Sequence, residues 1–510
     1  MSRKNRFFQF AVLLIGLAPI TPAQTTAPGP KPGSGPGPPP PYSVVRWNED
    51  YSYLNDPNLR TDFLDPIKYI PLNDSGDFYL SLGGQARYRY EYFNNANFGA
   101  GTQDADGYHL LRFLAHADLH LGPNVRLFVQ GKSSLIEDGG IGPGGDPRPI
   151  DADELDVQQA FADLTLPLGD KNSLLLRFGR QDLLYGAQRL ISPLDWTNTR
   201  RTFEGFKTSL TTGPNTLDLF WVRLVDVERE EFNNGDPNTS FAGIYDVLAI
   251  PGLVAKDDNS KLDLYGLALN RTNARFAQNA AAATPTADED RYTLGIRLSG
   301  NPKPFDFDLE GDYQFGQFGR GDISAWAFAA EGGYTLAQAP FAPRLFLGFD
   351  IASGDRDPAN PDLQTFNQLA PLGHAYLGYI DVVGRQNIID LHPGVELTLA
   401  QNFTMVKKLT LRSEYHLFWR ESTDDALYNV AAGIATAPPV AGVQRAAGGS
   451  NSSYVGSELD LLLNWQIDRH TAAYVGYSHF FAGDFIDDTA GTGGFNEDID
   501  FFYAAVAFTF

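Results

Sequence analysis

From Phe78 to Phe510 the chain repeats one pattern: stretches of about ten residues in which apolar side chains alternate with polar or small ones, divided by turn-forming clusters. In the first, Leu80, Leu82, Ala86, Tyr88, Tyr90 and Tyr92 share one face, and Ser81, Gln85, Arg87, Arg89 and Glu91 share the other. Phe305, Phe307, Leu309, Tyr313 and Phe315 are likewise set against Asp306, Asp308, Glu310, Asp312 and Gln314. Leu409, Leu411, Tyr415, Leu417 and Trp419 are set against Arg412, Glu414, His416 and Arg420. A period of two is that of a β-strand between unlike environments. A soluble sandwich would bury the apolar face, whereas a barrel in lipid turns it outward and lines its lumen with the charged one.

Loop lengths decide between the two. Short turns such as Leu121-Gly122-Pro123-Asn124, Gly169-Asp170-Lys171-Asn172, Asn301-Pro302-Lys303-Pro304 and Asp468-Arg469-His470 mostly alternate with long polar loops at 93–107, 137–154, 184–202, 354–391, 422–454 and 483–498. Short turns at one end and long loops at the other mark an outer-membrane barrel. The strong strand candidates lie near 78–92, 108–121, 124–136, 155–167, 173–183, 203–212, 215–227, 261–271, 291–300, 304–316, 323–337, 343–353, 392–401, 407–420, 455–466, 471–482 and 499–510. Their number is odd, yet bacterial barrels have an even number of strands. Assigning short turns to one end exposes a single conflict, between 227 and 261. Phe241–Ala249 supplies the missing strand and brings the total to 18, a size that leaves an aqueous channel. The last strand places Phe502, Ala504, Val506, Phe508 and Phe510 on one face, the kind of terminal strand that outer-membrane assembly machinery recognises.

The fold class expected is therefore all-β, a transmembrane antiparallel barrel over 78–510 in the bacterial outer membrane, surrounded by lipid and lipopolysaccharide. Residues 1–23 read as a secretory signal: Arg3, Lys4 and Arg6 precede the apolar run Phe7–Ala18, and Thr21-Pro22-Ala23 offers a cleavage site. Residues 24–41 form a Pro/Gly-rich linker of the kind that stays disordered. Residues 42–77 are a periplasmic lead-in, far shorter than the plug domain of an energised transporter. The aromatic content of 13 % supplies interfacial girdles. A net charge of −23 argues against nucleic acid as a partner. The absence of cysteine removes disulfides, thiolate metal sites and a cysteine nucleophile.

The central segment is more specific. Phe178-Gly179-Arg180-Gln181-Asp182-Leu183-Leu184-Tyr185-Gly186-Ala187-Gln188-Arg189-Leu190, then Asp195-Trp196-Thr197-Asn198 and Phe203-Glu204-Gly205, resembles the bacterial alginate export family. Asn48-Glu49-Asp50-Tyr51, Leu82–Arg89, Gly378–Gly384, Gly456–Leu461 and Gly476–Gly483 fit the same family, and the resemblance runs from about residue 45 to 510. It implies an 18-stranded outer-membrane barrel that passes an anionic polysaccharide passively through an arginine-rich constriction. The chain departs from a purely basic pore, because the strand at 304–316 aims acids inward.

Phasing the strands puts Arg87, Arg89, Arg112, Arg126 and Lys132 on one stretch of lumen wall, with Arg177 on a later strand and Glu310, Arg412 and Glu414 farther round. Guanidinium groups keep their charge and bind carboxylates in bidentate fashion, so rings of them select anions. The competing reading is that these arginines pair with lumen acids and brace the wall. The acidic cluster Asp151, Asp153, Glu154 and Asp156 lacks the spacing of an EF-hand calcium loop and reads as solvated charge. The eight histidines show no zinc-ligand spacing, and no nucleophile elbow, P-loop or dinucleotide fingerprint occurs. The expectation is a channel, not an enzyme, with no cofactor and no metal. It would pass an anionic solute, a polyuronate such as alginate, the alternative being a general anion-preferring porin for small solutes.

Overall fold

A strand in lipid must find a partner for every backbone N–H and C=O on a neighbouring strand, and a sheet achieves this only by closing on itself. The computed structural model describes residues 41–510 apart from 102, 104–105, 138, 140–145, 256–257, 276–285, 405 and 432–441. The expected signal segment 1–23 and the linker 24–41 up to residue 40 lie outside the described residues.

The wall is built from β1 (Phe78–Asn94), β2 (Tyr108–Leu121), β3 (Val125–Glu137), β4 (Asp153–Pro167), β5 (Asn172–Gln181) and β6 (Phe203–Thr212). It continues through β7 (Asn215–Asp226), β8 (Thr239–Ala249), β9 (Lys261–Arg275), β10 (Thr286–Gly300), β11 (Phe305–Phe318) and β12 (Gly321–Thr335). The remaining strands are β13 (Arg344–Ala352), β14 (Ile388–Phe403), β15 (Val406–Trp419), β16 (Tyr454–Gln466), β17 (Thr471–Ala482) and β18 (Ile499–Thr509). Each pairs antiparallel with its sequence neighbours, and β18 returns to β1 through Gln85↔Thr509 to Asn94↔Asp500, so the 18-stranded barrel is closed. The seam ends where Phe510 N–H donates to Gly84 O and Gly84 N–H donates to Phe510 O. The strand expected at Phe241–Ala249 is β8, paired with β7 and β9.

Side-chain alternation follows the pleat. On β10, Tyr292, Leu294 and Ile296 point outward and are 41 %, 57 % and 51 % exposed, while Glu289, Arg291 and Arg297 point inward and are buried. The outward face is the one that meets lipid. Glycines permit one crowded stretch of wall: Gly179 on β5 and Gly205 on β6 are register partners, both with left-handed φ (132° and 155°). A Cβ on Gly179 would lie 2.2 Å from Ala160 O on β4, and one on Gly205 would lie 2.2 Å from Trp221 O on β7.

The lead-in does not hang free. Ile70–Pro71 pairs with Tyr79 and Leu80, and Arg46 donates to Gly84 O (3.0 Å) and Phe510 O (2.9 Å) across the barrel seam. Trp47 enters the short-turn mouth, where the Arg177 guanidinium sits 3.8 Å from its ring centre and Phe161 meets it edge-on.

A cation on the outward face would have to enter hydrocarbon. Leu294→Arg is expected to lower stability by about 2–4 kcal/mol if it sits near the bilayer midplane. Denaturant unfolding in lipid vesicles measures this, with a lumen-side Thr293→Ser change as the comparison.

Candidate functional site

The phased lumen residues do face inward, and they are not solvated. Arg87 on β1 and Arg112 on β2 are register partners, and two like charges so close require a shared anionic or dipolar partner. The loop 182–202, between β5 and β6, provides it. Arg87 donates to the carbonyls of Asp195 (3.0 Å) and Thr197 (2.7 Å). Arg112 donates to the same two carbonyls (2.9 and 3.0 Å) and to Asp195 Oδ1 (3.0 Å). Arg89 donates to Trp196 O, lies over its ring at 4.3 Å and pairs with Glu91 at 2.6 Å. Burial opposes the charge on Asp195, but Arg112, Arg200 and Arg87 around it outweigh that and hold its carboxyl below the ordinary range.

From that wall the loop crosses the lumen. At its far side Arg189 donates to Asp308 (2.6 Å) and Glu310 (2.9 Å) on β11, and Glu310 also accepts from Tyr265 on β9 (2.6 Å). A second long loop, 353–387 between β13 and β14, folds in beside it. Ile191 and Ala370 form a parallel bridge, with Ala370 N–H donating to Leu190 O and Ser192 N–H to Ala370 O, each at 2.9 Å. Arg201 donates to Ser192 O (3.2 Å) and Pro371 O (3.1 Å), and Trp196 stacks on His374 at 3.5 Å. The second loop is pinned to the wall by Asn367 with Gln314, Arg385 with Asp350 (2.8 Å), and Tyr379 with Glu414 (3.0 Å). The loops' apolar residues, among them Leu190, Ile191, Phe366, Leu369, Leu377 and Val383, form a buried core inside the barrel. Two loops thus partition the lumen.

The other expected site residues are also engaged. Arg126 pairs with Asp118 (2.6 Å) and donates to Trp47 O of the lead-in (2.6 Å). Lys132 pairs with Asp153 (2.9 Å). Arg177 forms a bidentate pair with Asp163 (2.7 Å for both bonds), and Arg412 pairs with Glu414 (2.9 Å). Within the acidic cluster 151–156, Asp151 holds Arg148 (2.8 Å) and Asp156 holds Arg180 (2.9 Å), so that charge is largely paired. Removing one partner from such a buried pair leaves an uncompensated charge, which costs about 3–5 kcal/mol.

On the short-turn side of the partition lies a vestibule of about 320 Å³. Arg189, Lys261, Arg297, Arg344 and Arg412 line it against Asp306, Asp308, Glu331 and Glu396. Through Ala375, Glu396 and Arg412 it adjoins a second space of about 170 Å³, lined by Lys408 and by the aromatic rings of Trp196, His374, Tyr379, Tyr474 and Tyr503. Arg344 holds Asp306 and Glu331, each at 2.5 Å, and Arg297 holds Asp263 at 3.0 Å. Of these cations only Arg412 is among the expected site residues. The lumen phase of β10 points to Arg297, and Arg189 lies within the family-like segment. Lys261 and Arg344 open their strands, where alternation is least informative.

Comparison with known proteins agrees with this architecture. OccD3 (OpdP) of Pseudomonas aeruginosa has a TM-score of 0.53 at 10 % identity, over 87 % of this chain and 93 % of that one. OccK2 (OpdF) of the same organism, solved with glucuronate, gives 0.51 at 13 %, over 85 % and 96 %. A BenF-like porin from Pseudomonas fluorescens Pf-5 gives 0.51 at 10 %, over 84 % and 98 %. These likenesses show the fold. No curated protein sequence matches the chain.

Because charged hydrogen bonds contribute about 1.5–3 kcal/mol each, the Arg87→Ala, Arg112→Ala double variant should free loop 182–202 from its wall. Amide exchange across 190–198 is expected to accelerate at least tenfold while the barrel strands stay protected. Unchanged exchange would show that these arginines do not hold the loop. The sequence profile that describes alginate export proteins matches residues 78–495, and the chain belongs to the alginate export family.

Proposed function

We propose that this outer-membrane channel carries sugar acids, of which a polyuronate such as alginate is the polymeric case, passively across the bacterial outer membrane. The observation that carries the reading is a vestibule lined by guanidinium groups that opens, through Arg412, on an adjoining space walled by aromatic rings. Arg344 and Arg412 are donors suited to a carboxylate. Trp196, Tyr379, Tyr474 and Tyr503 beside them present apolar faces with polar edges, suited to the CH-rich face of a pyranose ring. The interleaved acids weaken attraction at any one point. Weak, repeated binding is what conduction requires, since a permeant held too tightly does not leave. Family membership supports the same class of solute. A channel rather than an enzyme is also the reading that family membership and the barrel fold favour.

The alternative, a general porin for small anions, would use the cations without the rings. Lys261 and Lys408 test the role of the cations: they line the vestibule and the adjoining space, and neither side chain is buried. The Lys261→Gln, Lys408→Gln variant should fold normally. Oligouronate added on the short-turn side of a planar bilayer is expected to block wild-type current. The variant should need roughly twofold to tenfold more, since mouth charges act mainly on the rate of capture. A neutral oligosaccharide of equal length that blocks equally well, or glucuronate monomer that blocks as well as the oligomer, would contradict a polyuronate path.

A further inference from the structure

The lumen wall beneath the second partition loop holds a cluster that no linear motif announces. Asp390 and His392 lie two residues apart on the inward face of β14, and His416 faces His392 from β15. All three are buried, and one donor atom from each lies within 4.8 Å of the other two. Asp390 Oδ2 is 2.6 Å from His392 Nδ1 and 3.0 Å from His416 Nδ1, so one carboxylate oxygen meets two imidazole nitrogens. The imidazoles lie 4.5 Å apart, tilted by 32°.

We propose that Asp390, His392 and His416 form a binding site for one divalent transition-metal ion of the zinc class. Two imidazoles and one carboxylate are a set such ions take, at about 2.0–2.2 Å from each ligand, with water completing the shell. The ion would replace the protons now shared between Asp390 and the ring nitrogens, and Asp390 would draw back from His392 to make room for it.

Three further features fit an ion there. Gly348 on β13 leaves the space that the His392 ring fills: a Cβ at that position would sit 1.8 Å from His392 Nε2. Asp460 Oδ2 lies 3.7 Å from His416 Nε2 and accepts no hydrogen bond within the described structure, although Asp460 is only 1 % exposed. With the ion on Nδ1, that oxygen is placed to take the Nε2 proton, the outer-shell carboxylate that fixes a ligating histidine. Finally, Glu458, opposite His416 on β16, brings a further buried carboxyl to the same wall. Asp390, Glu458 and Asp460 thus bring three buried carboxyl groups about the two imidazoles, and Arg412 is engaged by Glu414. A divalent cation is a charge that such a group can hold. It would tie β14 to β15 where the partition loop is anchored, through Tyr379 on Glu414 and Ile380 N–H on Glu458 (2.9 Å).

The test uses the whole protein in detergent micelles, stripped with chelator and checked as folded by its heat-dependent migration. Titration with Co²⁺ should give visible d–d absorption that saturates at one ion per chain. Zn²⁺ should displace it and raise the thermal midpoint. His392→Ala and His416→Ala should abolish the absorption. Gly348→Ala, which keeps all three ligand residues but displaces the His392 ring, should weaken binding at least tenfold. His479→Ala, remote from the cluster, should not change it. Should the histidine variants not fold, Asp390→Asn carries the same expectation with its shape preserved. Folded wild-type protein that takes up no stoichiometric Co²⁺ or Zn²⁺, or folded His392→Ala or Asp390→Asn protein that binds as tightly as wild type, would overturn the proposal.

Discussion

Backbone hydrogen bonding without water is the constraint on which everything else here depends. Because the β18–β1 seam closes from Gln85↔Thr509 to Asn94↔Asp500, no strand edge is left facing lipid. Closure fixes the pleat, and the pleat fixes which side chains go out and which go in. Leu294 and Ile296 are outward for the same reason that Arg291 and Arg297 are inward. A barrel of this circumference encloses more volume than side chains of the wall alone can fill. Its interior therefore has to be occupied by water or by chain, and here much of it is chain.

That interior chain is held by charge. Arg87 and Arg112, repelling each other on neighbouring strands, are reconciled by the carbonyls of Asp195 and Thr197. Arg189 ties the far end of the same loop to Asp308 and Glu310. The acids of β11 and the arginines of β1 and β2 are thus two abutments of one bridge across the lumen. This changes what a lumen arginine means: buried in fixed bonds, as Arg87, Arg112 and Arg189 are, it positions the partition, and Lys261 and Lys408, whose side chains are not buried, are the cations most open to a passing anion. The most specific family-like segment, 178–205, includes the first of these loops, and Gly378–Gly384 lies in the second, while Leu82–Arg89, Gly456–Leu461 and most of Gly476–Gly483 lie on the wall.

Much of the wall was legible in the sequence. Period-two alternation located the strands, and parity of turns and loops called for the strand that became β8 at Thr239–Ala249. The inward phase of Arg87, Arg112, Glu310 and Glu414 could be read because a pleat leaves only two choices. What these residues touch could not be read. Asp195 lies 83 residues from Arg112, and nothing local states that a polar loop turns into the barrel and not toward solvent. The pairing of His392 with His416 depends on the register of β14 and β15, which a search for ligand spacing along one strand does not see. The docking of the lead-in could not be read either, because Trp47 and Arg46 gain their partners, Arg177, Phe161 and Phe510, only after the barrel has closed.

The central claim is that a channel with a net charge of −23 nevertheless prefers anions, because its acids are largely paired or lie outside the path and its vestibule cations govern entry. Exposed loop charge is screened within about 8 Å at physiological salt, whereas charges in a confined passage act at close range. The most direct measurement is the reversal potential of single channels in a potassium chloride gradient. The account predicts a reversal potential displaced toward the chloride equilibrium potential. Displacement toward the potassium equilibrium potential in the wild-type protein would contradict it.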